Sequence, residues 1–463
     1  MDFQKLARVV AILFLIFAFG FRAYSLIYSS IGFDEAGLAY VAQGISGGGQ
    51  LYIDYFDHKP PLIHYLTAAA FNFVQPTTFS IKLLALIFDI ALILSVFLVA
   101  KKLSNATYGL FAAVLMSAYN FKLVPNTETL MVLFGVWAFY FYIKSQEKRK
   151  PANFYLFVTG ICIAIAIWFK QPAIFFYFSI LIHIIYLRYK KQINTNGLFK
   201  EILMLTLGVL IISLPLLSYF LIKIGPSLLY SLIQFNLIFK GSSPRIFQLA
   251  KGLSILIFYL GYLLVVILSN LNIKSNKKEV LSTLIIFNIA NLIFLLISPE
   301  IFYQHFFQLA PFTILLAIYC AFSSNQKFNK MILITMLFGL ILLSLSSLED
   351  TARDISSGNA AQLKAFMSYL ASNVPKNSTF FSDNPVYTFL GGYKLNQPLV
   401  GAAPSLNSVF NYKFICTEDY LVLTHRQKYF SPQVQTCIKN NFILMKRFDN
   451  VGESFAEVYK SKK

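Results

Sequence analysis

Charged residues are scarce in this chain of 463 residues, because Asp, Glu, Lys and Arg together make up only 13% of it. An ordinary soluble domain has about a quarter of its residues charged. Hydrophobic residues make up 57% of the chain, and its mean hydropathy is +0.64. This composition excludes a cytosolic globular enzyme and an intrinsically disordered chain, and it indicates a membrane protein.

Acidic residues are also few, 20 against 39 basic ones, so the formal net charge is +19. Such an excess occurs in nucleic-acid-binding proteins and in the cytoplasmic loops of membrane proteins, and the positions of the cations distinguish the two classes. If the N-terminus is cytoplasmic, 17 of the 26 cations before residue 350 fall in loops on that side. The other 13 are spread over the C-terminal segment. The pattern follows the positive-inside rule and argues against nucleic acid as a partner.

Cysteines number only four, and no two of them have the C-x-x-C spacing of a thiolate metal site. The glycine patterns of the P-loop and of the Rossmann fold are absent as well, so no nucleotide donor is indicated. Cys162 and Cys320 lie in apolar runs. Cys416 and Cys437 fall in a segment expected outside the cytoplasm, where disulfides persist, and the sequence leaves open whether they are bridged.

Long apolar runs recur along the first 350 residues, and about 20 such residues cross a hydrocarbon core of about 30 Å as a helix. Eleven spans are predicted, at 6–28, 81–100, 107–124, 129–143, 153–169, 172–187, 201–224, 252–270, 280–298, 307–322 and 330–347. No small-x-small cleavage site follows the first run, which indicates an uncleaved span. We therefore expect an α-helical polytopic protein of the plasma membrane, with a transmembrane domain at 1–348 that includes a first outer loop at 29–80.

The C-terminal segment, residues 349–463, is more polar than the rest of the chain. An odd number of spans places it on the side opposite the cytoplasmic N-terminus. It contains short apolar runs such as Tyr420–Leu423 and Phe442–Met445, which are typical of strands. A small extracytoplasmic α/β domain is predicted.

The first outer loop holds the densest group of ionisable residues in the chain. Within 26 residues lie Asp34, Glu35, Asp54, Asp57, His58 and Lys59. A carboxylate in a site that excludes water has a raised pKa and can act as a general base. Because adjacent residues of a helix point about 100° apart, only one of Asp34 and Glu35 can point straight into a cavity. The alternative is an ordinary solvated loop.

Two lysines precede prolines at places where a helix can begin. Lys59 is followed directly by two prolines, and Lys170 by Gln171 and Pro172. Proline suits the first turn of a helix, since its missing N–H would have no partner there. The free amides and positive end of such a helix, together with the ammonium group, form an anion site of the kind that phosphates occupy. For Lys170 the alternative is a lysine that extends from an apolar helix to the membrane interface.

Other polar residues near the predicted outer face are candidates for substrate binding. Glu128 has three open roles: a metal ligand, an acceptor contact or a carboxylate at the interface. His305 is a lone histidine, which is structural more often than functional. Arg245, in the outer loop between the seventh and eighth predicted spans, could bind phosphate through its planar guanidinium. The same class includes three residues of the first outer loop, Tyr40, Asp57 and His58.

Several short motifs follow one another along the chain. They are Phe33-Asp34-Glu35-Ala36 with Gly47-Gly48-Gly49, Asp57-His58-Lys59-Pro60-Pro61-Leu62, Pro125-Asn126-Thr127-Glu128-Thr129-Leu130, Gly160 with Trp168-Phe169-Lys170-Gln171-Pro172, and His305-Phe306-Phe307-Gln308-Leu309-Ala310-Pro311. In these motifs and in their order, the chain resembles the dolichyl-phosphate-mannose protein mannosyltransferase superfamily. The bacterial branch of that superfamily includes the lipid A aminoarabinose transferases.

The resemblance implies a GT-C fold and an inverting glycosyltransferase that moves a monosaccharide from a polyprenyl-phosphate carrier to an acceptor hydroxyl. By the resemblance, Asp34 is the general base with Glu35 beside it. Lys59 and Lys170 correspond to contacts with the carrier phosphate. Glu128 stands where the family more often has Asp, one methylene shorter, so no role carries over to it. Nothing carries over to the C-terminal segment.

Lysines and helix N-termini can meet the charge of a leaving phosphate, so no cofactor is expected to be obligatory, although a divalent metal remains an option. The expected partners are a polyprenyl-phosphate-linked sugar donor, a lipid, glycan or protein acceptor, and membrane lipids. Two other functions stay open: an oligosaccharyltransferase or ligase that uses a pyrophosphate carrier, and a transporter or flippase. A pyrophosphate favours additional cations or a metal, and transporters more often place ionisable groups at the membrane midplane.

Overall fold

The structure is a computed structural model, and it describes residues 3–28, 31–119, 127–147, 151–235, 245–269, 278–297, 303–323, 359–395, 412–451 and 454–463. The chain forms two compact units. Unit one comprises Met1–Ala23, Ala85–Phe220 and Ser243–Leu348, and unit two comprises Tyr24–Leu84, Leu221–Ser242 and Glu349–Lys463. The domain boundary at residue 348 that the sequence suggests stays a prediction.

Most of the described chain is α-helical. The α-helices are α1 (Phe3–Tyr28), α2 (Phe33–Ser46), α3 (Leu62–Phe71), α4 (Thr78–Leu103), α5 (Ala106–Tyr119), α6 (Thr127–Ser145), α7 (Ala152–Phe169), α8 (Ile174–Tyr189), α9 (Thr195–Ile224), α10 (Pro226–Leu229), α11 (Arg245–Ser269), α12 (Lys278–Ile297), α13 (Ala310–Ser323), α14 (Asn359–Asn373), α15 (Pro385–Gly391) and α16 (Pro432–Asn441). Ten of the eleven predicted runs coincide with helices. The eleventh, 330–347, lies outside the described residues.

Several helices have the length and composition of membrane spans. Within the described ranges, six qualify: Arg8–Ile27, Thr78–Leu103, Ala152–Phe169, Gln171–Tyr189, Thr195–Ile224 and Glu279–Ile297. Shorter apolar helices occur at Leu62–Phe71, Ala106–Ala118 and Ala310–Ser323. The protein is therefore a multi-pass α-helical membrane protein, as its apolar runs predict.

Helix α11 begins earlier than its apolar run predicts. The prediction placed Arg245 in a loop and began the span at residue 252, whereas Arg245 is the first residue of α11. The first turns of α11 combine apolar Ile246 and Phe247 with buried Gln248. A search for uniformly apolar residues misses such turns, because backbone hydrogen bonds continue a helix beyond the part that contacts lipid.

A buried ion pair joins helices of unit one. The guanidinium of Arg22, in α1, donates to Asp89 Oδ2 of α4 over 2.6 Å, and both side chains are almost completely shielded from solvent. Arg22 also donates to the hydroxyl and the carbonyl of Ser117, in α5, over 3.0 and 2.8 Å. A charge at such depth is tolerated when an opposite charge and hydrogen bonds satisfy it. The network holds α1, α4 and α5 together.

Unit two contains a four-stranded sheet in the order β1-β2-β4-β3. Its strands are β1 (Phe380–Ser382), β2 (Tyr420–Leu423), β3 (Phe442–Val451) and β4 (Ser454–Ser461). Strands β1 and β2 are parallel, and β4 pairs antiparallel with β2 and β3. Helices α14 and α16 pack against β3. The small α/β fold predicted for this segment is confirmed, and both strands predicted from apolar runs are present.

One hydrophobic core inside unit two connects α2 and α3 with the C-terminal segment. Ala36, Ala39 and Tyr40 of α2 belong to the same cluster as Phe366 of α14 and Tyr387 of α15. Helix α2 packs against both α3 and α15. The helix that carries the acidic pair is therefore built into the core of the C-terminal segment.

A disulfide between Cys416 and Cys437 also forms in unit two. It joins the 3-10 turn Tyr412–Thr417 to α16 and borders a second core that contains Phe381, Ile415 and Phe430. The sequence left this bridge open. Cys162 and Cys320, in unit one, are buried free thiols.

Helices α7 and α9 approach closely at a pair of glycines, Gly160 and Gly208. Their Cα atoms leave no room for a side chain, because a Cβ on Gly160 would overlap the Leu205 carbonyl and one on Gly208 the Phe157 carbonyl. Small residues at a helix crossing permit this kind of backbone contact in membranes.

We predict that Gly160→Ala and Gly208→Ala each lower the free energy of unfolding by about 2 kcal/mol, because the helices must separate. Thermal unfolding in detergent measures the effect. Gly20→Ala is the matched control, since a Cβ at Gly20 of α1 meets no atom within 4 Å. Equal unfolding temperatures for Gly160→Ala and Gly20→Ala would contradict the close crossing.

Candidate active site

The acidic pair lies at the N-terminus of α2, where its two members differ in environment. Gly32 is the N-cap residue, and Asp34 and Glu35 occupy the first turn. Asp34 is exposed, whereas Glu35 is partly buried. A Cβ on Gly32 would overlap Glu35 Oε2, so the Glu35 side chain lies folded back against the start of its own helix. Of the two acidic groups, Asp34 is the more exposed to solvent.

The surroundings of Glu35 disfavour its charge. Burial raises the pKa of Glu35, against the opposing effect of the backbone amides of Glu35 and Gly32. The Asp34 charge raises this pKa further, and the Lys82 ammonium lowers it. A carboxyl group that accepts hydrogen bonds from its own helix start supports the first turn in the manner of a capping residue. Glu35 is thus a support for the turn that carries Asp34.

The predicted anion site at Lys59 has a rigid framework. Helix α3 begins at Leu62 after an N-cap at Pro61, as the two prolines predict. Asp57 Oδ1 accepts from the backbone N–H groups of His58 and Lys59 over 2.6 and 3.2 Å. Asp57 Oδ2 lies 3.5 Å from Lys59 Nζ. One carboxylate thereby holds both the turn and the ammonium group that precede α3.

His64 completes the support of this turn from within α3. Its side chain is fully shielded from solvent, and its Nε2 lies 3.1 Å from Asp57 Oδ2. Burial acts to raise the pKa of Asp57, but Lys59, His64 and His58 together hold that pKa well below its usual range. Asp57 therefore carries a full negative charge at neutral pH, and its role is to orient the cations around it.

The backbone of the same turn is tied down by Tyr52. The Tyr52 hydroxyl donates to the Lys59 carbonyl over 2.5 Å. Tyr52 itself has a φ of +67°, a conformation that side chains other than glycine rarely adopt. The hydrogen bond from Tyr52 N to Tyr55 O, at 2.8 Å, stabilises it there. Such local strain is typical of sites in which a precise geometry is maintained by the surrounding structure.

His58 is the more exposed histidine of the turn. Its imidazole stacks on the Phe235 ring with centroids 5.4 Å apart, and Phe235 also contacts Phe56 edge to face at 5.2 Å. His58 Nδ1 lies 3.3 Å from Asp57 Oδ1. Phe235 directly follows the π-helical turn Tyr230–Gln234, a type of turn often found at functional sites.

A second group of predicted residues lies in unit one. Lys170 follows α7 in an extended conformation and precedes a 3-10 turn, Gln171–Ala173, with proline in its first positions, as predicted. Its ammonium forms an ion pair with the buried carboxylate of Glu128. Thr127 Oγ1 donates to the other oxygen of that carboxylate over 2.9 Å. Glu128 lies in the first turn of α6, and pairing with Lys170 is the role that the structure gives it.

His305 is close to this ion pair. It lies in the 3-10 turn Tyr303–Gln308, ahead of α13. Burial lowers the pKa of His305 to about 4, and the nearby Lys170 charge acts in the same direction. The imidazole is therefore neutral at neutral pH and can offer either a donor or an acceptor.

The predicted site residues thus fall into two groups. Asp34, Glu35, Tyr40, Asp57, His58 and Lys59 belong to unit two, and Glu128, Lys170 and His305 belong to unit one. The convergence of the two groups around one substrate stays a prediction. The position of the Arg245 side chain lies outside what the structure describes.

Sequence reasoning missed three residues that shape the site. His64 is part of an apolar helix that begins after Asp57, and its Nε2 lies 3.1 Å from Asp57 Oδ2. Lys82, a buried lysine near the start of α4, acts on Glu35. Arg426, far away in the C-terminal segment, lies over the Phe33 ring next to Asp34. Only the first two had a sequence signal, an ionisable residue in an apolar helix beside the acidic loop.

No group of three or more His, Cys, Asp or Glu side chains arranged to hold a metal occurs within the described ranges. The candidate site there consists of carboxylates paired with lysines and histidines. This arrangement can bind an anion and accept a proton.

Part of the chain matches a known protein family. Residues 58–219 match the family model described as dolichyl-phosphate-mannose-protein mannosyltransferase. No curated protein sequence matches the chain.

Solved structures share the fold. ArnT from Cupriavidus metallidurans bound to undecaprenyl phosphate superimposes with a TM-score of 0.71 at 12% identity, over 98% of each chain. The apo oligosaccharyltransferase of Archaeoglobus fulgidus gives a TM-score of 0.58 at 12% identity, over 98% of this chain and 74% of that one. Arabinofuranosyltransferase AftD from Mycobacteria gives 0.56 at 12% identity, over 99% of this chain and 40% of that one.

The chain is a multi-pass membrane protein with the fold of these solved structures. The family match over residues 58–219 and the shared fold support the GT-C superfamily that the motifs indicate.

We predict that Asp57→Asn lowers the free energy of unfolding by about 2 kcal/mol at neutral pH, because the charged hydrogen bonds to the turn are lost. The folded-state pKa of Asp57 lies below its unfolded value. Its stabilising contribution is therefore present above about pH 4 and disappears as the pH falls through the folded-state pKa.

Thermal unfolding of wild type and Asp57→Asn at pH 7 and below pH 4 tests whether the stabilising contribution of Asp57 decreases at low pH. Asp54→Asn is the control, since Asp54 belongs to the same loop but is exposed and accepts an exposed hydrogen bond from Gln50 N. A difference between wild type and Asp57→Asn that grows on acidification would count against the assignment.

Proposed function

We propose that this protein is an inverting glycosyltransferase that moves a monosaccharide from a polyprenyl-phosphate carrier to an acceptor hydroxyl on the outer side of the membrane. Asp34 is the general base in this proposal. Lys59 binds the carrier phosphate, and Lys170 is a second proposed phosphate contact.

One observation carries the proposal: unit two presents an exposed carboxylate and an anchored ammonium in the same compact body. Asp34 is exposed at the start of α2, while Lys59 is held by Asp57 ahead of α3. The N-terminus of α3 adds partial positive charge beside Lys59. A base and an anion site in one compact unit are the two groups that transfer from a phosphate carrier requires.

The reaction is a single displacement at the anomeric carbon. The acceptor oxygen forms a bond to that carbon as its proton passes to an Asp34 carboxylate oxygen. The bond between the anomeric carbon and the phosphate oxygen breaks, and its electron pair leaves with the phosphate. The Lys59 ammonium and the helix amides stabilise this charge. The configuration inverts, so a β-linked carrier gives an α-linked product.

Solved structures with the same fold support a polyprenyl phosphate as the carrier. The ArnT structure holds undecaprenyl phosphate, and an oligosaccharyltransferase of Archaeoglobus fulgidus was solved with a dolichol phosphate. Both carriers present one phosphate on a polyprenyl chain, which fits the proposed role of Lys59. A zinc ion is present in another structure of that oligosaccharyltransferase.

The test supplies purified protein with a panel of polyprenyl-phosphate sugars, a pyrophosphate-linked glycan and several acceptors. Release of polyprenyl phosphate and the anomeric configuration of the product are measured, with and without EDTA. Turnover of a monosaccharide donor with inversion is expected. Turnover of the pyrophosphate donor alone would favour an oligosaccharyltransferase or ligase, and movement of carrier across a vesicle without turnover would favour a flippase.

We predict that Asp34→Asn lowers kcat by at least about a thousandfold and leaves donor affinity within about twofold, because only the proton acceptor is removed. Steady-state turnover and equilibrium donor binding measure the two effects. Glu35→Gln is the matched variant, with a smaller loss expected because Glu35 supports the turn. Full turnover by Asp34→Asn would remove it from the role of base.

We predict that Lys59→Ala weakens donor affinity by about tenfold to a hundredfold, since one charge-assisted contact to the phosphate is lost. Lys439→Ala, at an exposed lysine of α16, is the control.

Lys170 is tested together with its partner, as Lys170→Met with Glu128→Gln, so that no buried carboxylate is left unpaired. Binding of the unphosphorylated polyprenol should be equal for all variants. An equal loss for polyprenol would refute a phosphate contact.

A further inference from the structure

The helix that carries Asp34 is held by the C-terminal segment as well as by its own loop. One face of α2, formed by Ala36, Ala39 and Tyr40, is buried in a core with Phe366 and Tyr387. The three α2 residues recur with helical spacing, and the small alanines let α15 approach closely. Asp34 lies two residues before Ala36, about 200° around the helix, and is exposed.

Polar contacts anchor the buried face at a second point. The Tyr40 hydroxyl accepts a hydrogen bond from the backbone N–H of Leu395 over 2.9 Å, and both groups are buried. The Tyr40 ring also packs edge to face on Tyr55 at 5.6 Å. The second turn of α2 is therefore fixed in rotation as well as in position.

The first turn of α2 has a different anchor. Phe33 is its first residue and directly precedes Asp34. The guanidinium of Arg426, in the C-terminal segment, lies over the Phe33 ring at 3.8 Å from its centroid. A planar guanidinium stacked on an aromatic face combines cation–π attraction with apolar contact. This contact lies one residue from the proposed base.

Arg426 is itself built into the sheet. It belongs to the 3-10 turn His425–Tyr429, whose N-cap Thr424 accepts from Arg426 N over 3.2 Å. Thr424 N donates to both carboxylate oxygens of buried Asp383 over 3.0 and 2.9 Å. Asp383 and Thr424 directly follow the parallel strands β1 and β2, so the sheet sets where this turn begins. The Arg426 backbone therefore has little freedom.

The disulfide encloses the same turn. Cys416 and Cys437 are separated by 21 residues, and Arg426 lies between them. The closed loop contains β2, the Arg426 turn and the start of α16. Such a link restricts the motion of the enclosed segment relative to the rest of the sheet.

We propose that Arg426 is a positioning residue for the transfer reaction: its guanidinium clamps Phe33 and thereby sets the direction of the Asp34 carboxylate. The inference rests on the proposed function, in which Asp34 is the base. It assigns a role to the C-terminal segment that fold and family leave open. A general base displaced by about 1 Å can lose a large part of its rate contribution, so a clamp one residue away matters to turnover.

The principal test compares Arg426→Gln with Arg426→Lys in the full chain, in detergent or vesicles. We expect Arg426→Gln to lower kcat about tenfold while the KM for the donor stays within about twofold, because the donor site is untouched. Arg426→Lys keeps a cation over the ring and should recover part of the loss. Thermal unfolding is measured in parallel to identify a variant that fails to fold.

Arg447→Gln is the matched control. Arg447 also lies over a phenylalanine ring in the same segment, 4.2 Å from the Phe455 centroid, and pairs with Asp449 and Glu457 of the β3–β4 hairpin. Its removal changes the same charge and the same type of contact away from α2. We expect its kcat to equal that of wild type.

A double-mutant cycle with Phe33→Leu tests the coupling directly. If Arg426 acts through the ring, Phe33→Leu should cost a similar factor in kcat, and adding it to Arg426→Gln should cost little more. Multiplicative losses would show that the two residues act independently and would overturn the clamp. A change confined to the KM for the acceptor would also overturn it, because Arg426 would then be an acceptor contact.

The possible outcomes distinguish this inference from the proposed function on which it rests. Wild type that turns over no lipid-linked sugar refutes the proposed function, whatever Arg426 does. Wild type that is active while Arg426→Gln has unchanged kcat overturns only the clamp. A loss in Arg426→Gln that Lys does not recover and that follows a fall in unfolding temperature would also overturn it, since Arg426 would then be structural.

Discussion

A charge removed from water needs an opposite charge or several hydrogen bonds beside it, and this constraint organises the polar groups of the molecule. Arg22 is matched by Asp89, and Glu128 by Lys170. Asp57 lies among Lys59 and His64. Asp34, in contrast, is exposed, whereas its neighbour Glu35 folds back onto the helix start. Pairing thus distinguishes the charged groups that hold the structure from Asp34, the residue proposed as the base.

The same constraint explains why the anion site is built from more than a lysine. A single ammonium on a flexible stem loses rotamer entropy when it binds, and a carboxylate beside it reduces that loss by holding it in place. Asp57 does so for Lys59 while also bonding the backbone of the turn. In unit one, Glu128 holds Lys170 in a comparable way.

Much of this could be predicted from the sequence. Apolar length predicted ten of the described helices, because lipid imposes one simple requirement on every span. Proline after lysine predicted the start of α3 and the turn after α7, because proline acts on its own backbone. Less regular features were missed: α11 begins at Arg245, before its apolar run, and His64 supports Asp57 from within an apolar helix. A local pattern reports only the conformation that residues close in sequence favour. The start of α11 and the contact of His64 with Asp57 depend on residues outside such a pattern.

Composition and chain order by themselves determined a multi-pass membrane protein, an acid-rich loop with lysine-proline turns, and a small α/β segment at the C-terminus, because each follows from contacts between residues close in sequence. Only the tertiary structure decided which acidic residue of the pair is exposed, which carboxylate holds Lys59, and that Arg426 lies over Phe33. Phe33 and Arg426 are almost four hundred residues apart. Burial and charge pairing over such separations arise when the core of unit two closes around α2, and no local pattern of residues encodes that closure.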